Sequence, residues 1–107
     1  MSLDGRGPLW GTATEDLNAT LVAWRSGEGT AEHVNDDLDV LLVVLGGSAV
    51  VTLDGVSVAV RAGQVLVLEK GVRRGVEAGG EGVRYLTVHR RRPPLRITPL
   101  RPTTLQP

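Results

Sequence analysis

Several residue types are missing from this sequence of 107 residues, and each absence excludes a class of function. The chain has no cysteine, which excludes disulfides, thiolate nucleophiles and thiolate metal ligands. It has no phenylalanine and only three aromatic residues, too few to stack the bases of a nucleic acid. No apolar run approaches the ~18 residues of a membrane span, and the first ten residues lack a basic region followed by an apolar stretch, so we expect no secretory signal. We therefore expect a cytoplasmic protein with no membrane and no nucleic-acid partner.

Lysine is also scarce, since the 12 basic residues are 11 arginines and Lys70, a bias typical of G+C-rich bacterial genomes. The net charge is zero but unevenly distributed. Residues 1–88 carry a balance of −5, whereas residues 89–107 carry five arginines and no acid. Because the body of the chain is acidic, we expect the run Arg90-Arg91-Arg92 to contact an acidic surface of this protein or of a partner.

Short apolar segments separated by turn residues indicate an all-β chain, because no stretch sustains a helical period over ten residues. Asp54-Gly55 stands between two valine-rich segments and predicts a tight hairpin. The run Gly79-Gly80-Glu81-Gly82 predicts a second turn. We expect an antiparallel sandwich or barrel with strands at residues 18–25, 39–45, 48–53, 56–60, 65–68, 74–77 and 84–90.

The length is that of a single domain, which we expect to span residues 1–107. Residues 1–16 have apolar anchors but little periodicity, which predicts a short edge strand and a loop. Residues 93–107 contain five of the six prolines, so they are expected to form an extended edge segment or a disordered tail. Its apolar residues predict that at least Leu95 to Leu100 packs along the barrel or across a partner subunit.

Two glycine-bounded segments resemble the conserved motifs of the cupin superfamily. The first family motif is glycine, five residues, His-x-His, three or four residues, Glu, six residues and glycine; it matches Gly27, His33, Asn35, Asp39 and Gly46. The second is glycine, five residues, Pro-x-Gly, two residues, His, three residues and Asn; it matches Gly63, Glu69, Gly71, Arg74 and Ala78. The resemblance implies an antiparallel jelly-roll β-barrel like those of the small single-domain cupins.

The metal-binding residues of the family are largely replaced. Typical cupins bind a divalent metal inside the barrel with three His and one Glu, and this chain has His33, Asn35, Asp39 and Arg74 at those positions. A guanidinium is permanently protonated, so Arg74 cannot be a metal ligand and would repel a cation. We therefore predict no cofactor and no ordinary cupin metal site.

Arg74 is expected to point into the barrel, where an unpaired guanidinium would be costly. Asp39 occupies the facing ligand position and is the expected partner. Three alternatives follow for the cluster of His33, Asn35, Asp39 and Arg74. It is a structural ion pair, or a site where Arg74 clamps a carboxylate or phosphate, or a residual metal site on His33, Asp39 and waters.

Two classes of function remain open on this basis. The first is a metal-free binding module that holds a small polar or anionic molecule in the barrel near Arg74. The alternative is a cupin-type enzyme, such as a metal-dependent dioxygenase, an isomerase or a cyclase, that uses His33 and Asp39. A homodimer is expected by resemblance, because residues 39–45 are apolar on both faces and Trp10 lies in an apolar terminus.

Three further residues are interpreted from their strand positions. His89 shares a face with Tyr85 and Thr87, and we expect it to point outward because the opposite face is apolar. Trp24 is expected to pack in the core or an interface rather than against a ligand. Glu69 replaces the motif proline and is expected at the surface.

Overall fold

The computed structural model describes residues 6–91, which form seven β-strands and no helix. Accordingly, none of these residues belongs to a helix that could cross a membrane. The expected packing of Leu95 to Leu100 lies outside the described residues. The strands are β1 (Gly7–Ala13), β2 (Leu17–Trp24), β3 (Gly29–Val34), β4 (Val40–Leu53), β5 (Val56–Arg61), β6 (Val65–Leu68) and β7 (Arg73–Arg90).

The strands form a sheet that two long strands, β4 and β7, divide into two halves. Around Leu42, β4 pairs with β6 and with the C-terminal part of β7, and β2 and β1 continue this half. Around Val51, β4 pairs with β5 and with the N-terminal part of β7, which β3 continues. All pairs are antiparallel, and side chains of both halves line one cavity. The predicted antiparallel jelly-roll barrel is therefore confirmed.

The turn predicted at Gly79-Gly80-Glu81-Gly82 is wrong, because β7 continues through these residues. The register between β4 and β7 shifts on either side of Gly46-Gly47, where both long strands pass from one half to the other. Gly47 and Gly82 have φ angles of 74° and 78° there, and a Cβ on Gly47 would collide with the Gly82 carbonyl oxygen. The glycines thus permit close backbone approach within a bent pair of strands.

The close approach of β4 and β7 at Gly47 predicts that one added methyl group strongly destabilises the protein. Gly47→Ala should lower the free energy of unfolding by at least about 2 kcal/mol, because a side chain at positive φ is strained and its Cβ also collides. Gly80→Ala is the matched control, because Gly80 lies in the same segment of β7 with open space around it. Urea unfolding of both variants checks the prediction, and equal losses would contradict it.

Other strand boundaries also differ from the prediction. The two strands predicted at 39–45 and 48–53 are one strand, β4, because the bulge at the crossing bends the ladder without ending it. Strand β3 was not predicted. The hairpin at Asp54-Gly55 is confirmed, and both of its central residues have the positive φ that a two-residue hairpin turn of this kind requires.

The core lies between the two halves, and its buried hydrophobic residues come from β2, β4, β5, β6 and β7. Leu42, Val44 and Val51 are its most deeply buried large side chains. Residues 39–45 were expected to be buried on both faces, but Leu41 and Leu45 are exposed in the single chain. The half of the barrel around Leu42 is called the first half, and its outer face is therefore an apolar surface.

Candidate functional site

A cavity of about 380 Å³ lies between the two halves of the barrel. Its walls are largely aliphatic, with Val22, Val40, Leu42, Leu68 and Val76 among the lining residues. The polar groups that converge on it come from both halves, and they include Arg74, His33, Asn35, Tyr85, Thr87 and His89. None of the described residues that line it is an aspartate, a glutamate or a lysine.

Arg74 supplies the positive charge of this cavity. It is only 5% exposed, and its position in β7, two residues before the buried Val76, turns its side chain inward. Its Nε donates to Nε2 of His33 at 3.4 Å. Its Nη1 is buried and has no hydrogen-bond partner within residues 6–91. Burial lowers the pKa of Arg74 below its ordinary value, since the charged form loses solvation, although an arginine stays protonated at neutral pH.

His33 lies directly opposite Arg74 in the pairing of β3 with β7. Its Nδ1 is 3.2 Å from the carbonyl oxygen of Ala31, and its Nε2 accepts from Arg74. This pair of contacts fits a neutral imidazole that carries its proton on Nδ1. His33 therefore helps to orient the guanidinium of Arg74.

Asn35 lines the cavity, and its side chain also organises the loop between β3 and β4. Its Oδ1 accepts from the backbone N–H groups of Asp37 and Leu38, at 3.0 and 3.1 Å. This is a local side-chain turn of the kind that asparagine favours. The amide oxygen at the second family ligand position is therefore committed to the backbone.

Asp39 does not meet Arg74, so the expected ion pair is wrong. Its carboxylate is exposed and accepts from the backbone N–H of Lys70 at 2.9 Å, beside a separate surface cavity. The reason is the alternation of strand residues. Leu38 and Val40 are buried on either side of Asp39, so Asp39 itself faces away from the cavity.

The inward direction of Val40 also changes which residue matches the acidic position of the first motif. The family motif allows three or four residues before its acidic position, and the four-residue interval places Val40 there. The glycine that follows six residues later is then Gly47, which the crossing of β4 and β7 requires. The inward position that corresponds to the family's Glu is thus occupied by an apolar side chain.

The residues present do not fit the metal of the cupin family. The four corresponding inward positions hold His33, Asn35, Val40 and Arg74, and only the histidine is a good ligand for such metals. In the described part of the chain, no three His, Asp or Glu side chains form a group that could hold a metal ion.

The protein purified without chelator should carry much less than one equivalent of iron, manganese, nickel, cobalt or zinc. The guanidinium of Arg74 would repel a cation, and none of the described lining residues carries a carboxylate that could attract one. Elemental analysis of the purified protein checks this prediction. One tightly bound metal per chain that is lost in His33→Ala would contradict it.

His89 does not point outward as expected, because it lines the cavity together with Tyr85 and Thr87. Thr87 is paired with Leu42 and Tyr85 with Val44, and both β4 partners are almost fully buried in the core. The alternate residues of β7 face outward. The face of β7 that carries Leu86 and Val88 was expected to be the core face because it is apolar. In this half of the barrel, however, both faces carry apolar residues.

Trp24 and Tyr85 form a hydrogen-bonded pair in the cavity wall. The indole Nε1 of Trp24 donates to the hydroxyl oxygen of Tyr85 at 3.0 Å. Tyr85 is 3% exposed, and burial raises its pKa, an effect that the bond from Trp24 partly opposes. Trp24 packs against the core as expected but also lines the cavity. The sequence did not predict this pair, because Trp24 and Tyr85 are 61 residues apart and no local pattern connects them.

The raised pKa of Tyr85 can be measured directly, because it is the only tyrosine in the chain. Titration of the phenolate absorbance should show a midpoint above 10.0 in the folded protein and near 10.0 in urea. Since the folded-state pKa is the higher one, this group's contribution to stability is present below pH 10 and is lost as pH rises through the folded pKa. Equal midpoints in both states would contradict the burial of the phenol.

A second cavity, of about 340 Å³, lies at the glycine crossing and is a weaker candidate. The Arg84 guanidinium lies so close to Gly46 that a Cβ there would collide with it. The other charged residues of this cavity, Arg25 and Glu81, are exposed. Without a buried charge or an unpartnered polar atom, this cavity shows no sign of a built binding site.

Comparison with known proteins agrees with this architecture. A family model described as a cupin domain matches residues 20–89, whereas none of the curated proteins searched matches the chain. Among solved structures, KdgF from Halomonas sp. is similar at a TM-score of 0.72 and 22% identity, over 78% of this chain and 77% of that chain.

Two further solved structures have the same fold. An uncharacterized conserved protein with a double-stranded beta-helix domain from Klebsiella pneumoniae has a TM-score of 0.71 and 20% identity, over 84% of this chain and 81% of its own. A cupin-2 domain containing protein from Shewanella frigidimarina has a TM-score of 0.69 and 21% identity, over 79% and 80%. With the family match covering both motif segments and the barrel between them, the chain belongs to the cupin superfamily.

Proposed function

We propose that this cupin is a metal-free binding protein whose barrel holds a small organic anion, with Arg74 as the anchoring group. The observation that carries this proposal is the Nη1 atom of Arg74, which is buried in the cavity wall and has no hydrogen-bond partner among the residues that the structure describes. A buried donor of this kind is costly to leave unsatisfied, more so when it is charged. An acceptor supplied by a ligand would remove that cost.

The charge of the cavity supports an anion rather than a neutral ligand. Arg74 is the one arginine or lysine among its described lining residues, and no acidic side chain lines it. A carboxylate or phosphate oxygen matches the geometry of a guanidinium and forms charge-assisted hydrogen bonds with it. The low polarity of the surrounding aliphatic walls strengthens such an interaction.

The size and the walls of the cavity support a ligand with an apolar body. About 380 Å³ falls in the range of small-molecule sites, which are concave, mostly apolar and carry a few placed polar groups. The aliphatic side chains of both halves would contact that body, whereas Arg74 would fix its charged end.

The alternative of an enzyme that uses His33 and Asp39 has weaker support. Asp39 faces a separate surface cavity, so it is not available to act together with His33. His33 is engaged by Arg74 through Nε2 and lies near the Ala31 carbonyl through Nδ1, an arrangement suited to positioning.

Calorimetric titration with hexanoate, compared with hexanol, tests the proposal. Hexanoate should bind to the wild-type protein, and hexanol should bind at least about tenfold more weakly, since a hydrogen bond to a charged group contributes about 1.5–3 kcal/mol. Arg74→Met should abolish the preference for the acid. Arg73→Met is the matched control, because Arg73 is the exposed neighbour of Arg74 on the same strand.

Two results would contradict the proposal. One is the absence of binding for hexanoate and for inorganic phosphate alike in the folded protein. The other is an equal affinity of wild type and Arg74→Met for hexanoate, which would place the anion elsewhere.

We also propose that the protein is a cytoplasmic homodimer of one-domain chains. The outer face of the first half of the barrel supports the dimer, since Val65 and Val67 of β6 adjoin Val43 and Leu41 of β4 on that face. Val67 is 54% exposed and Val65 is 57% exposed, and contiguous exposed apolar surface of this kind marks an interaction site.

A further inference from the structure

The hydroxyl of Tyr85 can form a second hydrogen bond that the described residues do not supply. A phenol hydroxyl accepts and donates, and the oxygen of Tyr85 accepts from Trp24. Within residues 6–91, no group accepts the hydroxyl proton of Tyr85 in return. Because Tyr85 is nearly fully buried and lines the cavity, its hydroxyl is placed to donate a hydrogen bond to a molecule inside the cavity.

Several other polar groups of the wall take part in hydrogen bonds within the protein. The hydroxyl oxygen of Thr30 accepts from the backbone N–H of Val76, and the hydroxyl of Thr87 donates to the Thr20 carbonyl oxygen at 3.5 Å. The Nδ1 of His89 is 2.9 Å from the Arg90 carbonyl oxygen. Of the polar residues in the wall, Arg74 and Tyr85 are the two that are almost fully buried, and each keeps a donor, Nη1 of Arg74 and the hydroxyl of Tyr85, that finds no acceptor within residues 6–91.

These two donors come from opposite halves of the barrel. Arg74 lies in the N-terminal part of β7, which pairs with β3, and Tyr85 lies in the C-terminal part, which pairs with β2. Since both residues line the same cavity, a single ligand can contact both. Only one of the two groups is a cation, so only one end of that ligand needs a charge.

We propose that the ligand is a monocarboxylate whose apolar body carries a second, uncharged oxygen acceptor, which the Tyr85 hydroxyl binds. The carboxylate contacts Arg74, and the second oxygen, of a carbonyl or a hydroxyl group, accepts from Tyr85. This inference rests on the proposed anion site and specifies which class of anion that site prefers. A second carboxylate or a phosphate dianion is disfavoured, because the described residues place no second arginine or lysine in the cavity wall to compensate its charge.

A set of six-carbon acids tests this specificity by calorimetry. The probes are hexanoate, its 2-oxo, 4-oxo and 5-oxo derivatives, and adipate, the dicarboxylate of the same length. At least one oxo acid should bind about fivefold to tenfold more tightly than hexanoate, as expected for one further neutral hydrogen bond. Adipate should bind more weakly than that oxo acid.

Tyr85→Phe should remove the gain, so that the oxo acid binds to this variant no more tightly than hexanoate does. Cooperative urea unfolding of Tyr85→Phe reports that the variant is folded. Trp24→Phe is the control, since it removes the donor to the oxygen of Tyr85 and keeps the hydroxyl, so the preference for the oxo acid should persist.

The outcomes separate this inference from the proposed function. If hexanoate binds through Arg74 but no oxo acid binds more tightly, the role of Tyr85 is wrong and the anion site stands. A gain that survives in Tyr85→Phe, or a tighter binding of adipate than of every oxo acid, also overturns it. If no acid binds at all, the proposed function itself is wrong.

Discussion

Arg74→Met should stabilise the ligand-free protein while it abolishes anion binding. The guanidinium is buried, and no carboxylate among the described residues pairs with it, because Asp39 faces the surface. Methionine keeps most of the apolar stem that packs in the wall and removes the unsatisfied donor. The free energy of unfolding should rise by about 1–3 kcal/mol, the cost of an unsatisfied buried polar group.

Urea unfolding and thermal unfolding measure this effect. For a domain of this size the midpoint temperature should rise by at least about 4 °C. Arg73→Met should change stability little, because Arg73 is exposed on the same strand. A loss of about 3–5 kcal/mol in Arg74→Met would mean instead that Arg74 compensates a buried acidic partner, and it would contradict this account.

A variant Arg74→Met that is more stable but no longer binds anions would show that Arg74 serves binding and not stability. A group that is retained although it destabilises the free protein is typical of binding and catalytic sites. Addition of hexanoate to the wild-type protein should raise its unfolding midpoint, because a ligand of the native state stabilises it by mass action. The same addition should leave the midpoint of Arg74→Met unchanged.

A double substitution on the outer apolar face should convert the proposed dimer into a monomer. Leu41 and Val67 are directly paired on adjacent strands of that face, and both are exposed in the single chain. Changing both to lysine places charges of one sign in an interface where they cannot be solvated or paired, which costs several kcal/mol. Their inward neighbours Leu42 and Leu66 remain unchanged, so the core should stay intact.

Light scattering after size exclusion measures the mass. The wild-type protein should have twice the 11.4 kDa mass of the chain, and Leu41→Lys/Val67→Lys should have the mass of one chain. Val56→Lys is the matched control, because Val56 is 63% exposed in the hairpin of the other half. A wild-type monomer, or a double variant that remains a dimer, would contradict the assignment of this face.

Strand spacing and turn chemistry predicted an antiparallel sandwich or barrel, and the resemblance of the two motifs to those of the cupin superfamily implied the jelly-roll barrel. The hairpin at Asp54-Gly55 and strand β6 were found with their bounds, because local residue types determine them. The inward position of Arg74 also followed from the second motif, where the alternation of β7 agrees with the family spacing.

The errors have a common physical origin, because each concerns a choice that local pattern leaves open. The first motif tolerates three or four residues before its acidic position, so Asp39 and Val40 both fit, and only the burial of Leu38 and Leu42 decides between them. His89 was misplaced because both faces of its sheet half carry apolar residues, so apolar character did not identify the inner face.

Glycine clusters are ambiguous for a similar reason. Gly79 to Gly82 have the composition of a turn, but in the structure they lie within β7 at its crossing with β4. A glycine that permits a turn and a glycine that permits two backbones to touch have the same local sequence. The distinction depends on Gly47, which is far away along the chain.

The structure of the protein crystallised with hexanoate is the most direct test of the central claim, that an anion site on Arg74 replaces the cupin metal. The account predicts a carboxylate oxygen at about 3 Å from Nη1 of Arg74, with the alkyl chain against the aliphatic walls of the cavity. A carboxylate bound away from Arg74, or a metal ion coordinated by His33 in the cavity, would contradict it.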